Sequence, residues 1–294
     1  MKSDTHDSNT YYIPHGSPWP IVGSVALFVL MWGAVLFLNE WASAWAFLPG
    51  ALILAFMFFG WFATVINENE AGLFNLQVDK SFRMGMMWFI ISEVMFFAAF
   101  FGALFYARVL SVPWIAGAGT KIFNPLLLWQ GYNPGWPTNG PAKVGGFEDG
   151  SFSIIPAFGL PAINTMILLT SGVTITIAHH ALRAGKRNIL TIFLAATFLL
   201  GFLFVGLQAE EYGEAYKELG LKLSTGIYGS TFFMLTGFHG LHVTIGAIML
   251  LIIWLRVVRG HFTPGRHFGF EAVAWYWHFV DVVWLGLFVF VYWI

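Results

Sequence analysis

The chain has 294 residues, of which 58% are hydrophobic and only 10% are charged, and its formal net charge is −1. Soluble domains carry about 25% charged residues, so this composition predicts an all-α integral membrane protein and excludes an ordinary soluble domain. The near-zero net charge argues against a nucleic-acid-binding surface. The absence of cysteine excludes thiolate metal sites, iron–sulfur clusters and covalent c-type haem, which leaves histidine as the strong metal ligand of this sequence.

Unbroken apolar runs long enough to cross a bilayer predict seven transmembrane helices. The first two are predicted over 20–38 and 46–66, and Pro49 stands in the first turn of the second, where proline is tolerated. The predicted domains are an N-terminal segment over 1–19, a two-helix bundle over 20–66, a charged connector over 67–81 and a five-helix bundle over 82–294.

Glu93 is the only acidic residue of the third apolar run, which extends from Phe82 to Val112. On a helix it lies about 16 Å from Phe82, close to the middle of a hydrocarbon core about 30 Å thick. A charged carboxyl group at that depth costs about 3 kcal/mol on insertion scales. We therefore expect Glu93 to be protonated, paired with another polar group, or both.

A long segment, 110–160, separates the third predicted helix from the fourth. Its glycine, proline and aromatic content, as in YNPGWP at 132–137, is typical of turns rather than helices. Loops of this length are usually functional or disordered. Two interpretations are open, a folded cover outside the membrane and a contact surface for a partner.

The remaining helices are predicted over 161–180, 189–209, 227–258 and 271–294. Between the fifth and the sixth lies an acidic segment that contains Glu210, Glu211, Glu214 and Glu218. We interpret this segment as a solvated surface, and a docking site for a basic partner is the alternative.

The distribution of Lys and Arg predicts the orientation of the chain. Most of the 14 basic residues fall on the side that holds the N-terminus. This asymmetry predicts an N-terminus on the inner side of the membrane and a C-terminus on the outer side. Arg83, Arg256 and Arg259, together with His179 and His267, form a basic inner rim. The rim either reflects ordinary positive-inside bias or holds anionic lipid headgroups.

Five ionisable residues fall in one band near the middle of the membrane. His239 and His242 lie three positions apart on the sixth helix, and His278 and Asp281 lie three apart on the seventh. Glu93 lies at a matching depth. Three interpretations are open: the groups form interhelical hydrogen bonds, they form a proton relay or transport site, or the histidines bind a metal or haem.

Four motifs occur in order on these helices. They are ISEVMFF at 91–97, LTSGVTIT and AHH within 169–180, GIYGSTFF and TGFHGLHV within 226–243, and HFGFEA and AWYWHFVDVVW within 267–284. Together they resemble subunit III of the aa3-type cytochrome c oxidases. The resemblance covers the third to seventh helices strongly and the first two more weakly.

The resemblance implies a two-helix bundle and a five-helix bundle that enclose a V-shaped cleft filled with phospholipid. It implies a non-redox subunit of a proton-pumping oxidase in aerobic respiratory electron transport, with haem and copper in partner subunits and only structural phospholipids in this chain. The chain would pack directly on subunit I, share its complex with subunit II, and serve an enzyme whose substrate is cytochrome c. It would retain lipids and support proton uptake and enzyme lifetime. The loop is longer than in mitochondrial relatives, which points to a bacterial inner membrane.

The resemblance also implies roles for single residues. Glu93 matches the family's buried carbodiimide-reactive glutamate, and Arg256 matches a lipid-contacting arginine. Trp61 and Glu68 fall near a tryptophan and a glutamate that contact lipid in the cleft, and Arg83 is expected to bind lipid as well. The family's usual pair of tryptophans on the second helix is single here, at Trp61. No catalytic residue and no metal ligand is expected in this chain.

Two alternatives remain. The first is the equivalent subunit of a quinol oxidase, although those relatives usually lack the first two helices. The second belongs to another class, a proton-coupled transporter that uses Glu93 and Asp281. The sequence contains no evident internal repeat, which disfavours the transporter.

Overall fold

The computed structural model describes Tyr12 and residues 16–121 and 123–293. Within these residues seven helices are long and apolar enough to cross a membrane, which confirms the predicted number and the all-α class. They are α1 (Trp19–Leu38), α2 (Ala44–Glu70), α3 (Leu76–Ile115), α4 (Leu160–Arg183), α5 (Arg187–Lys217), α6 (Gly226–Arg259) and α7 (Phe268–Trp293). Most of the predicted N-terminal segment, 1–19, lies outside the described residues.

Local sequence explains where several helices begin and end. A proline stands near the start of α1, of α4 and of the α-helical part of α2, where its missing N–H has no partner to lose. Helix α6 ends at Gly260, whose φ of 84° lies in the left-handed region. The N–H of His261 then reaches back to the carbonyl of Arg256 at 3.1 Å, which closes the helix end.

Helices α3 and α5 extend further than their apolar runs predict. Helix α3 begins at Leu76 and continues through a π-helical stretch, Tyr106–Ser111, to Ile115. Helix α5 continues to Lys217, so most of the acidic segment is helical rather than a loop. Glu210, Glu214 and Glu218 are exposed, as a solvated surface requires, whereas Glu211 is buried. The backbone hydrogen bonds of a helix are formed within the helix itself, whether lipid or water surrounds it. A helix can therefore continue beyond the end of its apolar run.

The chain forms two compact units, Met1–Met84 and Gly85–Ile294. In the first unit α1 packs along α2. Gly50 of α2 lies so close to α1 that a Cβ atom would stand 2.5 Å from the backbone nitrogen of Leu30. The indole N–H of Trp19 donates to the hydroxyl of Thr64 at 3.1 Å. A small residue and an interhelical hydrogen bond thus hold this helix pair together.

The second unit is built around two buried tryptophans of α7. Trp277 is fully buried and donates its indole N–H to the hydroxyl of Ser171 in α4 at 2.9 Å. A Cβ atom on Gly246 of α6 would stand 2.9 Å from the Trp277 ring. Two turns further along α7, Trp284 donates to the hydroxyl of Thr165 at 2.9 Å. One face of α7 is therefore packed against α4 and α6, and the indole N–H groups of Trp277 and Trp284 are satisfied inside the unit.

The loop between α3 and α4 folds onto the start of α6. The ring of Trp136 lies 5.6 Å from that of Tyr228, and the N–H of Tyr228 donates to the carbonyl of Thr138 at 3.2 Å. Within the loop, the side-chain amide of Asn139 donates to the carbonyl of Gly150 at 2.8 Å. These contacts favour the interpretation of the loop as a folded cover.

Candidate functional site

Glu93 of α3 and His242 of α6 form a hydrogen bond inside the second unit. Glu93 Oε2 lies 3.0 Å from His242 Nε2, and the other ring nitrogen, Nδ1, lies 2.6 Å from the carbonyl oxygen of Phe238. The rings of Phe96 and Phe97 pack on the imidazole, with centroids 5.9 and 5.1 Å away. In such apolar surroundings a polar side chain is stable only when it has a hydrogen-bond partner.

The hydrogen bonds of His242 determine how many protons this pair holds. A carbonyl oxygen can only accept, so Nδ1 carries a proton and donates it to Phe238. The contact with Glu93 needs one further proton, which lies on the carboxyl group or on Nε2. A neutral carboxylic acid beside a neutral imidazole has a net charge of zero, and so does a carboxylate beside an imidazolium. The pair is therefore neutral in either arrangement. Neutrality lowers the cost of placing Glu93 in the membrane.

His278 and Asp281 of α7 form a second pair, which faces α4. His278 Nδ1 lies 3.4 Å from Asp281 Oδ2, and Nε2 lies 3.4 Å from the hydroxyl oxygen of Thr176. Thr176 donates its own proton to the carbonyl of Gly172 at 2.8 Å, so the imidazole donates to Thr176 through Nε2. A Cβ atom on Gly172 would stand 2.6 Å from Asp281 Oδ2, so any larger residue would require this carboxyl group to move.

His239 contacts no acidic side chain among the residues that the structure describes. It is fully buried, its Nε2 donates to the carbonyl of Val280 at 3.1 Å, and its ring lies 5.1 Å from that of Trp284. The structure therefore pairs Glu93 with His242 and His278 with Asp281, and it leaves His239 bound to the backbone. Among the residues that the structure describes, these three histidines therefore face three different partners rather than one common point.

One cluster among the described residues has the spacing of metal ligands, and it lies at the end of α4 and the start of α7. His179, His267 and Glu271 place their ligand atoms within 4.8 Å of one another. Glu271 Oε1 lies 3.5 Å from His179 Nε2 and 3.3 Å from His267 Nε2. Two imidazoles and a carboxylate are donors that suit Zn²⁺, and a shared proton would also satisfy them. The four-residue spacing of His267 and Glu271 is the sequence signal for this contact.

Three of the residues expected to contact lipid lie in the first unit. Trp61 is 49% exposed on α2. Glu68 accepts a hydrogen bond from the hydroxyl of Tyr12 at 3.3 Å, and Arg83 Nε lies 2.7 Å from Asp79 Oδ2. Burial and then the Glu68 carboxylate raise the pKa of the Tyr12 phenol. Two of the three residues are thus held by neighbours that the sequence did not predict.

The fourth expected lipid contact, Arg256, lies in the second unit at the last turn of α6. Its guanidinium carbon lies 4.5 Å from the ring centroid of Phe262, which is cation–π geometry. A Cβ atom on Gly269 would stand 3.4 Å from the guanidinium. The aromatic ring thus orients the cationic group of Arg256 at the helix end.

A buried polar cluster that the sequence did not predict joins α5 to α7. Glu211 is 1% exposed, and its Oε1 accepts hydrogen bonds from the hydroxyl of Tyr292 at 2.7 Å and from the amide of Gln208 at 2.9 Å. Buried positions recur every three or four residues along α5 through Phe204, Gln208, Glu211 and Ala215. This helical period continues through the acidic segment. It is the sequence signal that could have predicted a helix there with Glu211 on its buried face.

Comparison with known proteins shows which family this chain belongs to. The family model described as cytochrome c oxidase subunit III matches residues 9–127 and 149–294. A cytochrome c oxidase subunit 3 from Dugong dugon is 41% identical over 290 residues, with 98% of each chain covered. Those from Mus musculus and Carassius auratus are 40% and 39% identical, again with 98% of each chain covered.

Proposed function

Because the chain belongs to the cytochrome c oxidase subunit III family, we propose that it is a non-redox subunit of a proton-pumping terminal oxidase. In this proposal haem and copper lie in partner subunits, and electrons reach the complex from cytochrome c. The chain packs on subunit I, shares the complex with subunit II, retains phospholipid, and supports proton uptake and enzyme lifetime. The observation that carries the proposal is identity of about 40% to relatives of that name across 98% of the chain.

The arrangement of the polar groups supports a scaffolding role. Glu93 contacts His242 on another helix, and Asp281 contacts its neighbour His278, so both carboxyl groups take part in polar contacts within the helix bundle. The indole N–H groups of two tryptophans and the side-chain amide of Gln208 also donate hydrogen bonds to other helices. Such bonds fix helix positions in lipid, where apolar surfaces provide little driving force for association. The alternative of a proton-coupled transporter finds no support in the family match.

The proposal includes phospholipid contacts at Trp61, Glu68, Arg83 and Arg256. The exposed indole of Trp61 on α2 can pack against acyl chains, and the cationic Arg256 at the end of α6 can pair with a lipid phosphate. We also propose that the N-terminus is cytoplasmic and the C-terminus periplasmic, in a bacterial inner membrane. The orientation is supported by the excess of Lys and Arg on the side of the N-terminus.

The test is purification of the chain from its native membrane in a mild detergent, through an affinity tag at its C-terminus. We expect haem-bearing subunits to co-purify, and the preparation to oxidise reduced cytochrome c. Oxidation of a quinol but not of cytochrome c would favour the quinol oxidase. The separated chain should show no Soret band, and a band that stays with it would contradict the non-redox assignment. If no haem-bearing subunit accompanies the chain, the oxidase proposal fails.

A further inference from the structure

Two histidines and a glutamate meet where α4 ends and α7 begins. The ligand atoms of His179, His267 and Glu271 all lie within 4.8 Å of one another. Their side chains are 27%, 10% and 14% exposed in that order, so the group is sheltered by the protein but remains accessible from outside. We call these three residues the α4–α7 cluster.

The turn before α7 places two members of the α4–α7 cluster side by side. Thr263 and Arg266 exchange two backbone hydrogen bonds, of 3.3 and 3.1 Å, which fold the chain back on itself. His267 follows, and its carbonyl oxygen accepts from the N–H groups of Phe270 at 2.9 Å and of Glu271 at 3.1 Å. Residues four apart on a helix lie on the same face. The backbone therefore brings His267 and Glu271 together, whatever binds between them.

A hydrogen bond to the backbone decides which nitrogen of His267 can bind a metal. Nδ1 lies 3.2 Å from the carbonyl oxygen of Thr263, and a carbonyl oxygen can only accept. In the neutral imidazole the proton is therefore on Nδ1 and the free lone pair is on Nε2. Nε2 is the nitrogen that faces Glu271. Histidines that bind metals usually donate their second ring nitrogen to a carbonyl or carboxylate group in this way.

The distances within the α4–α7 cluster match those around a tetrahedral metal ion. Glu271 Oε1 lies 3.3 Å from His267 Nε2 and 3.5 Å from His179 Nε2. Both nitrogens are buried, and neither has a hydrogen-bond partner within the part of the chain that the structure describes. Tetrahedral bonds of about 2.0–2.1 Å place neighbouring ligand atoms about 3.3–3.4 Å apart, whereas octahedral bonds of that length place them about 3.0 Å apart. The spacing therefore favours Zn²⁺ over an octahedral ion.

We propose that His179, His267 and Glu271 bind a Zn²⁺ ion that joins the end of α4 to the start of α7. Two imidazoles and one carboxylate are a ligand set that Zn²⁺ takes in proteins, and water completes the tetrahedron. The carboxylate offsets half of the charge of the ion, and the nearby Arg183 is exposed, so that water screens its repulsion. The site goes beyond the proposed function, which places haem and copper in partner subunits. A proton shared by the three groups is the competing occupant.

The first experiment measures zinc binding by variants of the cluster. The chain is extracted in mild detergent through an affinity tag, with whatever subunits accompany it, treated with a chelator, and dialysed against buffered Zn²⁺. We expect His267→Asn and Glu271→Gln to bind one zinc ion fewer per chain than the wild type, because losing a ligand should weaken this site at least about 100-fold. His180→Asn is the matched control, since His180 is exposed and adjacent to His179, and it should bind as much zinc as the wild type. Equal zinc content in all four proteins would overturn the proposal.

The second experiment uses the wild-type protein and so does not depend on how the variants fold. X-ray absorption at the zinc edge is recorded before and after one equivalent of Zn²⁺ is added to the chelator-treated protein. We expect the added zinc to have four nitrogen or oxygen ligands at about 2.0–2.1 Å, with the scattering of two imidazole rings. Six ligands, or any other number of imidazole rings, would reject the α4–α7 cluster as the zinc site.

Discussion

Glu93 and His242 are 149 positions apart in the chain, yet their side chains meet at 3.0 Å between Oε2 and Nε2. Because His242 also donates to a backbone carbonyl, the pair shares one proton and carries no net charge. A carboxyl group that looked costly from the sequence is thus half of a neutral interhelical contact between α3 and α6.

Glu93→Gln should preserve this contact, because a glutamine amide can donate to Nε2 of a neutral His242. We expect the variant to assemble, to unfold at nearly the wild-type temperature, and to keep most oxygen reduction. Glu93→Leu should instead lower the unfolding free energy by about 1–3 kcal/mol, since it leaves a buried ring nitrogen without a partner. Thermal unfolding and oxygen consumption of the purified complex test this. Loss of all oxygen reduction in an intact Glu93→Gln complex would assign Glu93 a different role.

Gly172 should not tolerate alanine. A Cβ atom there would stand 2.6 Å from Asp281 Oδ2, and we expect Gly172→Ala to cost about 1–3 kcal/mol of stability because the buried carboxyl group must move away from its present position. Gly240 is the matched control, because a Cβ atom there would have no neighbour within 4 Å and alanine favours a helix by up to about 1 kcal/mol. Thermal unfolding in detergent should show a lower midpoint for Gly172→Ala only. Equal midpoints would contradict the close approach.

Tyr292→Phe should destabilise the second unit through Glu211. The change removes a 2.7 Å hydrogen bond to a buried carboxyl group, and we expect a loss of about 1–3 kcal/mol. Tyr216→Phe is the control, because Tyr216 is 44% exposed and its loss should stay within about 0.5 kcal/mol. Chemical or thermal unfolding of the two variants measures the difference. A Tyr292→Phe protein as stable as Tyr216→Phe would show that the cluster does not hold α5 to α7.

Asp149 provides a pH-dependent contact in the loop between α3 and α4. The hydroxyl and N–H of Ser151 donate to Asp149 Oδ1 at 2.6 and 2.9 Å, and these bonds lower the pKa of the carboxyl group. A lowered pKa means that the turn is stabilised at neutral pH and loses that stabilisation as pH falls through the folded pKa. Ser151→Ala should move the pKa back toward its ordinary value. Carboxyl ¹³C titration, assigned with Asp149→Asn, tests this, and an unchanged pKa would refute it.

Part of the polar architecture could be read from the sequence. The depth of Glu93, His239, His242, His278 and Asp281 followed from counting residues along apolar runs. The contact of His278 with Asp281 followed from their three-residue spacing on one helix. What could not be read was which groups on different helices would meet, because that depends on how each helix is rotated about its axis.

Glu211 shows why a charge-based prediction fails at a helix end. Four acidic residues close together indicate a solvated segment, and most of them are exposed. Glu211 differs from the other three because it faces α7. There the hydroxyl of Tyr292 donates to its carboxyl group, in addition to the side-chain amide of Gln208. Its burial is decided by a partner 81 positions away, which no local property of the segment contains.

The sequence by itself determined the membrane class, the seven helices and the resemblance to a family, because hydrophobic length and motif order are properties of consecutive residues. Only the tertiary structure decided that Glu93 binds His242, that Gly172 lies against Asp281, and that His278 is half exposed beside Thr176. These outcomes depend on side-chain packing between helices, where differences of an ångström decide which polar groups can share a proton.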